Sequence, residues 1–204
     1  LFSPEVASGL LSSFISAISG GSLYRKSSYL LNRLDTQVLP SWVTLSENPL
    51  LPIGLGSAAY DGDGLPTRLQ SFVEAGLLTS YVLSLYSANR MSMKTTHNAG
   101  GVRNLFLSGR QSFDELVADM GSGLIVTELM GQGANLVNGD YSRGASGFWV
   151  ERGEIAYPVH EVTVASNLDR MMKYDLKAIG SDLDIRRSIA TGSMLFEKMM
   201  VAGS

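Results

Sequence analysis

No cysteine occurs among the 204 residues, and only two histidines do, His97 and His160. The first absence excludes a disulfide framework and any thiolate metal site, and it suits a reducing compartment. The second leaves too few imidazoles for an ordinary zinc site. Both histidines, far apart and at no helical spacing, would have to join carboxylates such as Glu128 or Glu161. No apolar run approaches the roughly 18 residues needed to cross a bilayer. Basic stripes are missing too: 16 Lys and Arg stand against 19 Asp and Glu, scattered along a chain of net charge −3. That balance argues against a nucleic-acid partner. These absences predict a soluble protein that uses neither membrane nor nucleic acid.

Catalytic signatures are equally sparse. No G-x-S-x-G elbow frames a nucleophilic serine. The glycine runs "HNAGGVRN" and "MGQGANLVNGDYSRG" lack both the strand–GxGxxG–helix arrangement and a P-loop lysine, so turns and bulges explain them better than phosphate does.

What is present suits one globular unit over residues 1–204. The 45% apolar content, 17% charged residues and 22 glycines favour many tight turns over long solvated helices. A chain of this length buries about 70% of its extended surface. It begins at Leu1, inside a helix cap, which leads us to expect an N-terminal region before it.

Ser3, Pro4 and Glu5 form a helix start, and Val6, Leu10, Leu11, Phe14 and Ile18 recur at helical spacing up to Gly20-Gly21. A short helical piece is expected around Ser27 to Leu34, then an extended stretch punctuated by Pro40, Pro49 and Pro52. "TRLQSFVEAGLLTSYVLSL" reads as a hairpin turning at Glu74-Ala75-Gly76, with a helical turn after it. Ser112 and Glu115 make a capping box for a helix ending at Gly121. "GLIVTELM" is a buried strand that surfaces at Glu128. Asn167 caps a helix through Met171 and Met172, and "GSMLFEKMMVAG" is strand-like. The fold class is α+β, with a strongly bent, mainly antiparallel sheet and a few packed helices.

"GDYSRGASGFWVERGEIAYPV", Gly139 to Val159, reads as a loop to Gly147, a strand, a turn at Arg152-Gly153 and a second strand. Polar side chains beside glycine-rich backbone could hold an extended peptide along a sheet edge. The candidate contacts are His97, Asn98, Arg103, Glu128, Gln132, Tyr141, Ser142 and Arg143, with Arg143 as anchor. Loop side chains that satisfy their own backbone are the plainer explanation.

"GGSLYRKSSYLL" at 20 to 31, "THNAGGVRN" at 96 to 104, the long phrase from Val126 to Leu168 and the closing "IG.D...R..I..GSML" together resemble the TldD/PmbA family, in its PmbA (TldE) branch. The likeness runs in order along nearly the whole chain and implies the C-terminal half of the family's polypeptide. It further implies a cytoplasmic peptidase complex for unfolded peptides, with zinc held by a TldD-type subunit on a His-Glu-x-x-x-His helix and a later cysteine. Here Pro4-Glu5 stands where His-Glu would be, Gly9 where the second His would be, and Thr191-Gly192 near the cysteine position.

On that likeness this chain binds no cofactor of its own, and the zinc is expected on the partner subunit. Its role is then a non-catalytic one: closing a dimer, shaping the substrate chamber and holding extended peptide. Glu5 could act as a base only with metal and water supplied from elsewhere. A near self-complementary interface would also allow a homodimer when the partner is absent. Two alternatives stand beside it: an autonomous metallopeptidase with an unconventional site at His97, and a protein-binding modulator of DNA gyrase, the label the family also carries.

Overall fold

The computed structural model describes residues 1–203. Five helices and eleven strands run in the order α1 (Pro4–Ala17), α2 (Gly20–Tyr24), β1 (Leu45–Glu47), β2 (Gln70–Glu74), β3 (Leu77–Leu78), α3 (Leu85–Arg90), β4 (Leu105–Leu107), α4 (Phe113–Met120), β5 (Gly123–Met130), β6 (Asp140–Glu151), β7 (Glu154–Asn167), α5 (Leu168–Arg170), β8 (Leu176–Ile179), β9 (Ile189–Thr191), β10 (Met194–Phe196) and β11 (Met200–Ala202). A π-helical turn, Met171–Asp175, joins α5 to β8. The strands form three sheets, ordered β3-β2-β1-β4-β9, β10-β8 and β11-β7-β6-β5. All pair antiparallel except β4 with β9, so the α+β class and the mainly antiparallel pairing hold.

The four-stranded sheet is bent by two bulges at one level. Across β5 and β6, Val126 faces Gly147 and Glu128 faces Ser146, so Thr127 is an extra residue on β5. Across β6 and β7, Ala145 faces Val162 and Gly147 faces Val159, which places an extra residue on β7 beside Glu161, itself at φ 55°. An unpaired residue on each flank of β6 kinks both neighbours there.

This explains a correction. The segment from Gly139 to Gly147 is a strand from Asp140 onward, not a loop. Gly147 sits where two backbones approach closely: a β-carbon there would overlap the carbonyl of Ile125. The turn at Arg152-Gly153, with φ of 54° and 79°, is as the sequence predicts.

α1 buries Val6, Leu10, Leu11, Phe14 and Ile15 against β9 and β5. It stops at Ala17, before Gly20-Gly21, which begin α2 instead of ending α1. The expected helix at Ser27 to Leu34 is a run of turns, with Lys26 and Asn32 both at φ 58°. Left-handed residues interrupt helical hydrogen bonding, which local propensity alone does not reveal. The hairpin of β2 and β3 turns at Ala75-Gly76, and Ser112 and Glu115 form the capping box of α4. Asn167 Oδ1 accepts from the backbone of Asp169 and Arg170 at the start of α5.

Candidate functional site

α1 and β9 pack together; Pro4, Glu5 and Gly9 lie on α1, Thr191 ends β9 and Gly192 follows it. Proline, glycine and a buried threonine whose hydroxyl donates to the Gly192 carbonyl offer no imidazole or thiolate. Glu5 is exposed, and its Oε1 accepts from Arg186 Nη2 at 3.1 Å. Arg186 also grips Asp184 through Nε and Nη2, both at 2.8 Å. Those bonds from Arg186 hold the Asp184 carboxyl down to about 2. These residues do not fit a zinc ion, because the one surviving carboxylate is committed to a guanidinium and no neutral nitrogen or sulfur donor stands near it.

The two histidines do not replace them. His97 Nδ1 donates to the Pro66 carbonyl at 2.8 Å, while His160 is exposed on β7. Among the described residues no group of three His, Asp or Glu is gathered as a metal site would require.

The eight candidate contacts fall in separate places. Asn98 and Arg103 belong to a buried hub around Glu47, which sequence reading missed, while the half-buried His97 bonds to Pro66 beside it. Glu47 is 2% exposed. Its Oε1 accepts from Gln70 Nε2 and Asn98 Nδ2 at 2.7 Å each, and its Oε2 from the Arg103 backbone N–H at 2.6 Å. The Arg103 guanidinium bonds back to the carbonyls of Ala99 and Gly101. Beside the hub, Asp61 accepts from the backbone N–H groups of Asp63, Leu65 and Ala99. Hub geometry of this kind orders loops, since every polar group finds a partner within the chain.

Gln132, Tyr141 and Arg143 come together elsewhere. With Gly9 and Ser13 of α1 they line a cavity of about 230 Å³. Tyr141 and Arg143, two apart on β6, share a face of the sheet. Arg143 Nη2 donates to the Gly131 carbonyl at 2.6 Å, folding the side chain onto the segment after β5. Its Nε and the Tyr141 hydroxyl are buried without a partner. Burial pushes the Tyr141 phenol up to about 12, against the opposing pull of the Arg143 side chain, which stands beside the hydroxyl and acts through its charge and its N–H groups. Glu128 and Ser142 are exposed on β5 and β6, and the Ser142 N–H donates to the Gly133 carbonyl at 2.8 Å.

β5 and β11 are the outer strands of this sheet. Leu1 to Ser3 cover part of the β5 edge, through Val126 N–H to the Leu1 carbonyl and Ser3 N–H to the Val126 carbonyl. No helix among the described residues is long and apolar enough to cross a membrane.

The sequence profile of the PmbA/TldA metallopeptidase C-terminal domain matches residues 1–203. The chain is 46% identical over 204 residues to the metalloprotease PmbA of Escherichia coli, covering 100% of this chain and 45% of that protein. It therefore spans under half the length of that relative. Among solved structures, it superposes on a Bacteroides thetaiotaomicron protein named for a proposed modulation of DNA gyrase. The TM-score is 0.93 and the identity 32%, over 100% of this chain and 46% of the other. TldE from Thermococcus kodakarensis shares the fold, with a TM-score of 0.84 and 23% identity over 99% of this chain and 49% of that one.

Proposed function

Since the chain belongs to the PmbA/TldD metallopeptidase family, we propose that it is the non-catalytic, chamber-forming subunit of a heteromeric zinc peptidase acting on unfolded peptides. The observation that carries this reading is the state of the α1–β9 region. Pro4, Gly9 and Thr191-Gly192 supply no nitrogen or sulfur donor, and Glu5 is paired with Arg186. A catalytic zinc needs about three protein ligands with one open position, and that donor set is missing here.

In this proposal a TldD-type partner holds the zinc, in the cytoplasm, and this chain contributes walls and peptide contacts. The four-stranded sheet, bent by its paired bulges and bordered by the Gln132, Tyr141 and Arg143 cavity, is the surface that would face substrate. A near self-complementary partner interface would also let two copies of this chain pair when the partner is absent.

Reconstitution tests the reading. Full-length protein, its TldD-type partner and the mixture are each given an unfolded peptide. Cleavage that requires the partner's zinc ligands and survives Glu5→Gln in this chain supports the proposal. Cleavage by this chain alone contradicts it.

A further inference from the structure

The cavity beside Gly9 has a chemistry that scaffolding alone does not explain. Tyr141 is 3% exposed, yet its hydroxyl has no hydrogen-bond partner, and neither has Arg143 Nε. The Arg143 side chain stands beside the hydroxyl, but neither the hydroxyl nor Nε makes a hydrogen bond of ordinary geometry. Buried polar groups are nearly always well paired, so the two donors side by side on one small cavity mark a position for an acceptor. Both can donate. The phenol keeps its proton at neutral pH, and the guanidinium is always charged.

The space is there as well. A β-carbon on Gly9 would meet nothing within 4 Å, so α1 leaves an opening where any other residue would project. Arg143 is the one charged residue in the lining, and no acidic side chain shares it. Gln132, exposed and flanked by glycines, forms the outer wall. A cavity of about 230 Å³ suits a carboxylate with a few attached carbons and is too small for a bulky ligand.

We propose that this cavity binds a peptide carboxylate, with Arg143 and Tyr141 as its two donors and Gly9 providing the room. The inference rests on the peptide-holding role above and adds the chemical group recognised. A guanidinium beside a hydroxyl is matched to a two-oxygen anion, which can be a C-terminal carboxylate or an acidic side chain.

The test uses full-length protein and three labelled forms of one Ala/Gly/Ser hexapeptide: the free acid, the C-terminal amide, and the amide with one residue changed to Glu. Binding is read by fluorescence anisotropy. The free acid, the Glu-bearing amide or both should bind about tenfold more tightly than the plain amide, as a charge-assisted contact predicts. Which form gains shows the source of the carboxylate. Tyr141→Phe and Arg143→Gln should each remove most of that preference.

Gly9→Leu fills the cavity from an open helical position and should abolish the preference in a folded protein. Equal binding of all three peptides to the wild type overturns the proposal. So does a preference that persists in Gly9→Leu. The preference is read on this chain alone, so its absence overturns the carboxylate site even where the mixed complex still cleaves peptide. Its presence supports the site even where no complex forms.

Discussion

Glu5 on α1 and Arg186, 181 residues later, meet through a 3.1 Å ion pair between Oε1 and Nη2. The one carboxylate of α1 is thereby turned toward a cation. The pair is open to solvent, so it contributes little to stability, and its importance lies in what it denies: a free base poised over a metal.

Glu5→Gln is therefore expected to change unfolding free energy by less than about 1 kcal/mol. Peptide cleavage by the mixed complex should stay within about twofold of wild type. Thermal unfolding and initial cleavage rates check both halves. A loss of about a hundredfold or more in rate, as expected on removing a general base, would contradict the assignment.

Glu47 behaves in the opposite way. Its carboxylate satisfies Gln70, Asn98 and the Arg103 backbone in a buried setting. Glu47→Ala leaves these donors without an acceptor and should cost about 3 kcal/mol or more, seen as a lower urea midpoint.

Asp61 makes stability acid-sensitive. Burial opposes its ionised form, but backbone donors at Leu65, Ala99 and Asp63 and the Arg103 charge outweigh that, holding its folded carboxyl below the ordinary 3.8. A depressed folded value stabilises above the unfolded one and is lost as pH falls through the folded value. Urea midpoints at pH 7, 4 and 3 should show a shallower acid decline for Asp61→Asn than for wild type, from a lower starting stability.

Two glycines should respond with opposite signs. Gly9→Ala, in open space on a helix, is expected to stabilise by about 0.5–1 kcal/mol. Gly147→Ala forces a β-carbon into the Ile125 carbonyl and should destabilise by about 2 kcal/mol or more. Melting temperatures of the two variants decide this.

The locally determined parts of the fold were legible in the sequence. The capping box at Ser112 and Glu115, the turns at Ala75-Gly76 and Arg152-Gly153, and the Asn167 cap each depend on residues three or fewer positions apart. The strand from Asp140 to Gly147 was hidden because its glycines resemble turn residues. Only the pairing of β5 with β6 shows that Gly147 permits close approach. The turns at Ser27 to Leu34 escaped for a similar reason, since their left-handed residues are Lys and Asn, not Gly.

Of the eight candidate contacts, Gln132, Tyr141 and Arg143 line one cavity while the others lie elsewhere, a division that the sequence did not show. Glu47 was missed because its partners lie 23 to 56 residues away, and the pairing of Arg186 with Glu5 because it spans 181. One signal for Glu47 was available: it follows Leu45 at strand spacing, on the face that carries the core. A charged residue in that register has to find buried partners.

The most direct test of the non-catalytic role is zinc stoichiometry by elemental mass spectrometry on the full-length protein, alone and mixed with a TldD-type partner. The account predicts no bound zinc on this chain alone and about one per heterodimer, lost when the partner's ligands are substituted. Tight, stoichiometric zinc on this chain by itself would contradict it.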